Sequence, residues 1–518
     1  VTTSTAESQP ADTPNLGRWS AAYAVIAAML VVVLDGAIMG LVAPAAAADL
    51  QAGTATVGLM TSISTLMMAA LIMAGGTLGD IYGRKRFLIY GLIGMTITSV
   101  LAMIAPSAVF MVPVRALTGM MAALISPLVL AIIAVSFDAK ERPKALGIYG
   151  AALGIAGGLG TLVISFLNQS FGWRSTFALD LVLCLLAILL VRRFVTESKA
   201  EGARKMDWPG ILLTAGGLLG IILGINQAGA NGFLSTAVLL PVAIGVALLV
   251  ALIFYSRRVS HPVLKLELFQ DRAIAVGLLL ILIMAFASTG AFFFLSNYLQ
   301  SVQRASPINA SLTLLPYPLS LFAFAILAGR WVGKFSNKLL ITGGLGLMLL
   351  ALVGFGQWLN PGGGFLFYLL PLVLLGSGYS IANTPRVNIV LGSAPPHLAG
   401  SASATNNATV QLGSALGIAV LSALFQQGAT RSYISEMREA GLDMATIQRS
   451  AEVLAAWLRE NSGNVATQYG ITVQQLEGVI ANYENAFTAG VSQVMWIGAA
   501  LIAVGAVLAF LTYRSKAQ

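Results

Sequence analysis

Three ionisable side chains interrupt long apolar runs of this chain: Asp35, Arg115 and Asp180. Asp35 lies nine residues before Pro44, Arg115 seven after Ala108 and Asp180 seven after Trp173. If the runs are helices rising about 1.5 Å per residue, all three sit on the order of 10–14 Å from the same boundary of an apolar layer. An ionised group in hydrocarbon is costly, so each needs a reason. Arg115 paired with one carboxylate offsets part of that cost, and a second carboxylate competing for a single arginine exchanges a proton instead. Two readings follow: a static structural pair, or a site at which Asp35 or Asp180 gains and loses a proton while Arg115 sets its affinity. The second reading requires a water-reachable chamber shared by the three.

Little else offers chemistry. One cysteine, Cys184, excludes a disulfide framework, and two histidines, His261 and His397, argue against a histidine-rich metal site. No nucleotide-binding loop or metal-ligand cluster is present. The chain therefore reads as a non-enzyme without cofactor, with the proton as coupling ion. A different cluster, Gly76, Asp80, Gly83, Arg84 and Lys85, sits at the end of an apolar run. There Gly76 and Gly83 permit close approach and a tight turn. Asp80 is expected to accept from a neighbouring helix N-terminus or to pair with a basic residue across a half interface, as a conformational latch. Gly150, Gly154, Gly157, Gly158 and Gly160 predict a smooth helix built for sliding or bending. Met60, Asn297, Asn383, Asn407 and Gln411 are candidate cavity-lining residues, whereas Arg386, near a span end, reads as a snorkelling anchor.

The elements that must position these residues are membrane helices. Of 518 residues, 57% are hydrophobic and 9% charged, against about 25% charged in soluble domains. The spacing predicts fourteen spans: 20–43, 55–78, 87–106, 108–136, 145–168, 175–195, 209–229, 234–255, 273–299, 308–332, 338–358, 364–390, 399–427 and 487–513. Lys and Arg gather in alternate loops, among them Arg84 to Arg86, Lys140 to Lys144 and Arg192 to Lys199. The positive-inside rule puts those loops and both termini in the cytoplasm of a multi-pass cell-membrane protein.

Residues 20–195 and 273–513 read as two six-helix bundles, all-α, with 196–272 a linker carrying two inserted helices. Residues 1–19 read as a disordered cytoplasmic segment and 514–518 as a cytoplasmic tail. Loop 428–486 is acidic and expected outside, with helical stretches near 448–460 and 473–485. The net charge of +9 is too thinly spread for a nucleic-acid partner, and no obligatory protein partner is evident.

Gly76-Thr77-Leu78-Gly79-Asp80-Ile81-Tyr82-Gly83-Arg84-Lys85-Arg86 resembles the loop 2–3 signature of the major facilitator superfamily, specifically its fourteen-helix drug:proton antiporter branch. Leu34 to Pro44, with Asp35 in register, is similar to that branch's first-helix signature, and Val114-Arg115-Ala116-Leu117-Thr118-Gly119 to its fourth-helix arginine segment. The resemblance implies two rocking bundles and efflux of hydrophobic or amphipathic compounds, cations included, against proton entry. It departs at Ile81, where the family has a basic residue, and at Asp180, where it has asparagine. It departs again at Gly160-Thr161 and Ile164-Ser165, where the antiporter signature has a Gly-Pro pair and a trailing Gly-Gly. That last departure motivates an alternative: a specific lipid or metabolite transporter of the same fold without antiport. A non-transporting receptor or scaffold using loop 428–486 is the third reading.

Overall fold

The computed structural model describes residues 16–52, 54–138, 140–199, 206–227, 232, 234–259, 262, 265–305, 307–395, 398–439, 446, 449–450, 452–454 and 472–513. Expectations for the first fifteen residues, for most of 448–460 and for the tail 514–518 lie outside them.

Among the described residues, fourteen helices are long and apolar enough to span a membrane. They are α1 (Leu16–Asp49), α2 (Thr54–Tyr82), α3 (Arg84–Met103), α4 (Ala108–Ser136), α5 (Arg142–Phe171), α6 (Arg174–Phe194) and α7 (Trp208–Asn226). They continue with α8 (Thr236–Ser256), α9 (Arg272–Ser301), α10a (Pro307–Leu314) running into α10b (Pro316–Trp331), and α11 (Asn337–Trp358). Last come α12 (Phe365–Ser393), α13 (Ala399–Glu439) and α14 (Val473–Thr512). No β-sheet occurs among the described residues; Val332 and Phe335 form an isolated bridge.

Local chemistry sets many boundaries. The side chains of Ser107, Asp207, Asp271 and Ser336 accept from backbone N–H groups in the first turns of α4, α7, α9 and α11, satisfying donors that the helix itself leaves open. A reciprocal Thr472–Gln475 capping box starts α14. Pro316 breaks the tenth span in two, a discontinuity that its hydropathy did not reveal. Helices α13 and α14 reach 41 and 40 residues, so much of what reads in sequence as loop 428–486 is helix continuing beyond the spans. The expected stretch 473–485 is the start of α14, with Leu476 buried.

Helices α1–α6 pack among themselves, as do α9–α14, while α7 and α8 pair with each other and α7 rests on α2 and α13. Helix α8 exposes Leu239, Leu240, Ile244 and Phe254, an apolar face suited to lipid. Several surfaces join the bundles, among them α2 against α13 and the two that follow. Along α5, a methyl added at Gly147 would stand 2.6 Å from Ala325 O, and one at Gly154 2.8 Å from Pro318 O, so the glycines let α10b lie against bare backbone. On α13, Ser403 Oγ donates to Pro127 O at 2.7 Å and Asn407 Nδ2 to Ser126 O at 3.2 Å, both on α4.

Candidate functional site

Helices α1 and α4 bring Asp35 and Arg115 into a two-pronged ion pair. Arg115 Nη1 donates to Asp35 Oδ1 at 2.6 Å and Nη2 to Oδ2 at 3.2 Å, with both residues buried. The planar guanidinium fork matches the carboxylate, which is why arginine holds this place better than lysine would. Asp180 of α6 lies within electrostatic range of both, yet its bond is to a different group: Ser99 Oγ of α3 donates to Asp180 Oδ2 at 2.5 Å. Asp180 Oδ1 has no hydrogen-bond partner. Arginine therefore compensates one carboxylate and a hydroxyl serves the other. Around them Ile38, Met39, Val114 and Phe177 form an apolar shell. Met60, expected at a cavity, is fully buried in this shell.

Between the bundles lies a cavity of about 340 Å³. The first bundle supplies mainly apolar wall, including Met29, Met68 and Leu130, together with Gly150 and Gly154. The second supplies most of the polar atoms, among them Asn383, Asn407 and Gln411. Asp35, Arg115 and Asp180 are buried within the first bundle and are not in its wall. Asn297 stands apart from the wall and donates to Phe293 O of its own helix at 2.8 Å.

Arg386 corrects the anchoring expectation. It is wholly buried and lines the cavity, with Nε and Nη2 donating to Asn383 Oδ1 at 3.1 and 2.8 Å. Nη1 donates to Gly277 O at 3.1 Å and to Asn406 Oδ1 at 2.9 Å. Its distance along the chain from a span end was the misleading signal, because α12 continues to Ser393 and its inner turns face the other helices.

At the α2–α3 turn, Gly83 adopts φ +117 and Arg84 donates to Asp80 Oδ1 from Nε at 3.0 Å and Nη2 at 2.7 Å. The pair lies within the first bundle, not across the half interface. Glu197, which sequence reasoning overlooked, accepts the backbone N–H groups of Lys85 and Arg86 at 3.0 and 3.1 Å. A carboxylate at the N-terminus of α3 complements its dipole. Lys85 Nζ reaches Arg192 O at 3.0 Å, binding the turn further to the end of α6. The latch residues thus fasten α2, α3 and the segment after α6, while buried Gly76 sits near the end of α2. Ser99 was likewise overlooked; a serine within an apolar helix was its only signal.

Of the remaining α5 glycines, Gly158 faces Pro318 and Gly160 faces Leu34, while Gly157 opens onto space. At the opposite end from the α2–α3 turn, Arg174 Nη1 and Trp173 Nε1 donate to Asp49 Oδ2 at 2.5 and 3.2 Å. These bonds hold the Asp49 carboxyl below the usual carboxylate range, the Arg174 contact foremost. Among the described residues, no group of three or more His, Cys, Asp or Glu gathers as a metal site.

With this geometry in hand, known proteins provide a frame. The family profile described as Major Facilitator Superfamily matches residues 24–418. The chain is 31% identical to the "Probable actinorhodin transporter" of Streptomyces coelicolor, over 96% of this chain and 92% of that one. It is 27% identical to the "Multidrug efflux pump LfrA" of Mycolicibacterium smegmatis, covering 98% and 99% of the two chains. Among solved structures, a proton:xylose symporter superposes with a TM-score of 0.62 at 17% identity, covering 96% of this chain and 95% of that one, a likeness of fold.

Proposed function

Because the chain belongs to the Major Facilitator Superfamily, we propose that it works as a proton-coupled exporter of its cargo across the cell membrane. It is a secondary transporter of hydrophobic and amphipathic compounds, in keeping with relatives named for drug and antibiotic export. The observation that carries the proton reading is the unequal treatment of two buried carboxyls: Asp35 has Arg115, and Asp180 has one hydroxyl and an oxygen without a partner. A proton supplies the compensation that a second cation would otherwise provide.

The basic loops face the cytoplasm, with both termini on that side. In this cycle, α5 against α10b and α13 against α4 close the cytoplasmic route. Rocking of the bundles opens it, admits an amphiphile to the cavity, and then reverses. Protons entering from outside reach Asp180 or Asp35, and the Asp35–Arg115 pair loosens or tightens as the charge changes. Coupling is reciprocal: a proton that weakens cargo binding is itself bound less tightly when cargo is present. The Asp80–Arg84 pair and Glu197 keep the cytoplasmic ends of α2, α3 and α6 moving as one body, with the turn serving as the conformational latch.

The test uses the full chain in liposomes with an imposed pH gradient and three fluorescent amphiphiles: anionic 1-anilinonaphthalene-8-sulfonate, neutral Nile red and cationic ethidium. Proton flux that depends on at least one of them is the expected result. Asp35→Asn combined with Asp180→Asn abolishes it. Full coupled flux in that double variant overturns the assignment of the proton site, and cargo movement indifferent to pH points to transport without antiport.

A further inference from the structure

Arg386 is the one charged residue in the cavity wall among the described residues. Its acceptors are all neutral: the side-chain carbonyls of Asn383 and Asn406 and the backbone carbonyl of Gly277. A guanidinium carries five N–H donors. The four bonds leave the second Nη2 hydrogen without an acceptor among the described residues. Arg115 shows what this chain does with a buried arginine whose charge it neutralises, since there both oxygens of an aspartate are engaged. At Arg386 dipoles reduce the cost of burial, but the full positive charge stays at the wall.

A charge so placed acts on whatever enters. The interior dielectric strengthens its attraction for an anion and its repulsion of a cation relative to water. The rest of the wall joins the apolar side chains of the first bundle to the amides and hydroxyls of the second, and three phenol groups, Tyr149, Tyr317 and Tyr379, line the same space. Those rings offer flat surfaces to an aromatic body and hydroxyls to its oxygens.

We propose that the cavity takes amphiphiles bearing an anionic oxygen, a carboxylate or an acidic phenol on an aromatic body, and that Arg386 is the residue that receives this group. This rests on the transport reading above and narrows its cargo class from the hydrophobic or amphipathic compounds, cations included, that the sequence resemblance implied. Docking uses the spare Nη2 hydrogen first. A two-pronged contact then requires Asn383 Oδ1 to yield, exchanging a neutral hydrogen bond for a charge-assisted one. Asn383 and Asn406 are positioning residues: they hold the guanidinium in the wall while the cavity is empty. A cation entering the same space meets the like charge with no carboxylate in the wall to offset it.

The test is binding by the detergent-purified full chain at neutral pH, with three probes sharing one ring system: 2-naphthoate, 2-naphthamide and 2-naphthylmethylammonium. Naphthoate is expected to bind ~10-fold or more tightly than the amide, with the ammonium weakest. Arg386→Gln brings naphthoate and naphthamide to within about twofold, and Arg386→Lys keeps part of the preference. Equal binding of the three by the wild-type protein, or tighter binding of the ammonium, overturns the proposal whether or not the variants fold. A folded Arg386→Gln that still prefers naphthoate overturns it too. Proton-coupled ethidium flux with no anion preference sinks this inference and leaves the transport reading standing; absence of flux for all three liposome probes sinks the transport reading itself.

Discussion

Each bundle buries an arginine away from its helix ends, Arg115 in the first and Arg386 in the second, and the two are treated in opposite ways. Arg115 in the first bundle is closed off from the cavity and matched by Asp35. Arg386 in the second lies in the cavity wall and is matched by amide and backbone carbonyls. Burying a charge is costly in both places, but full pairing neutralises the first arginine locally, while dipole pairing leaves the charge of the second facing the cavity. The division continues in the walls: apolar side chains on the first bundle, and most of the amides and hydroxyls on the second. On the proposed reading, proton handling and cargo recognition occupy separate bundles, joined through α4, which carries Arg115 and also accepts the α13 hydrogen bonds at Ser126 and Pro127.

The sharpest way to break this contrast is to remove each arginine. Arg115→Ala strands a buried carboxylate and is expected to lower stability by about 3–5 kcal/mol and to abolish coupled flux. Arg386→Gln frees only neutral acceptors and should cost about 1–3 kcal/mol. Thermal unfolding in detergent compares them; equal losses mean that the two arginines are not held differently. Asp35→Asn combined with Arg115→Gln should recover most of the stability and none of the coupling.

A smaller effect probes the seam between the bundles. Gly154→Leu drives a side chain into α10b, where a first methyl already stands 2.8 Å from Phe322 N and Pro318 O. Overpacking of about 1–3 kcal/mol should slow transport by about tenfold. Gly157→Leu, with nothing within 4 Å of its added methyl, should leave transport within about twofold. Similar losses at both positions would remove the close α5–α10b contact from the mechanism.

The least effect belongs to the same chemical pair placed in water. Asp49 and Arg174 keep 48% and 42% of their side-chain surface exposed. Since the folded carboxyl titrates below its usual range, its stabilisation is complete above the ordinary aspartate pKa of about 3.9 and fades as pH falls through the lowered value. The melting temperature of Asp49→Asn should sit slightly below wild type at neutral pH, converge with it in acid, and approach it in high salt. A gap that persists at low pH assigns the difference to packing rather than charge.

Much of this was legible before any coordinates. Fourteen spans, and the presence of Asp35, Arg115 and Asp180 at one depth, follow from hydropathy and helical rise. Glu197, Ser99 and the inward position of Arg386 were not legible, because each depends on a helix distant in sequence. Glu197 acts on the start of α3 more than a hundred residues earlier, and Ser99 meets Asp180 across α3 and α6. The break in the tenth span hides behind uninterrupted hydropathy, and the Asp80–Arg84 pair joins α2 to the first residue of α3.

The amino-acid order alone determined how many times the chain crosses a membrane and which charges must be buried, since transfer into hydrocarbon depends on residue type and run length. Tertiary structure decided which buried arginine received a carboxylate and which was turned toward the cavity. Depth along a helix is written in residue number, but the direction a side chain faces acquires meaning only when neighbouring helices are in place.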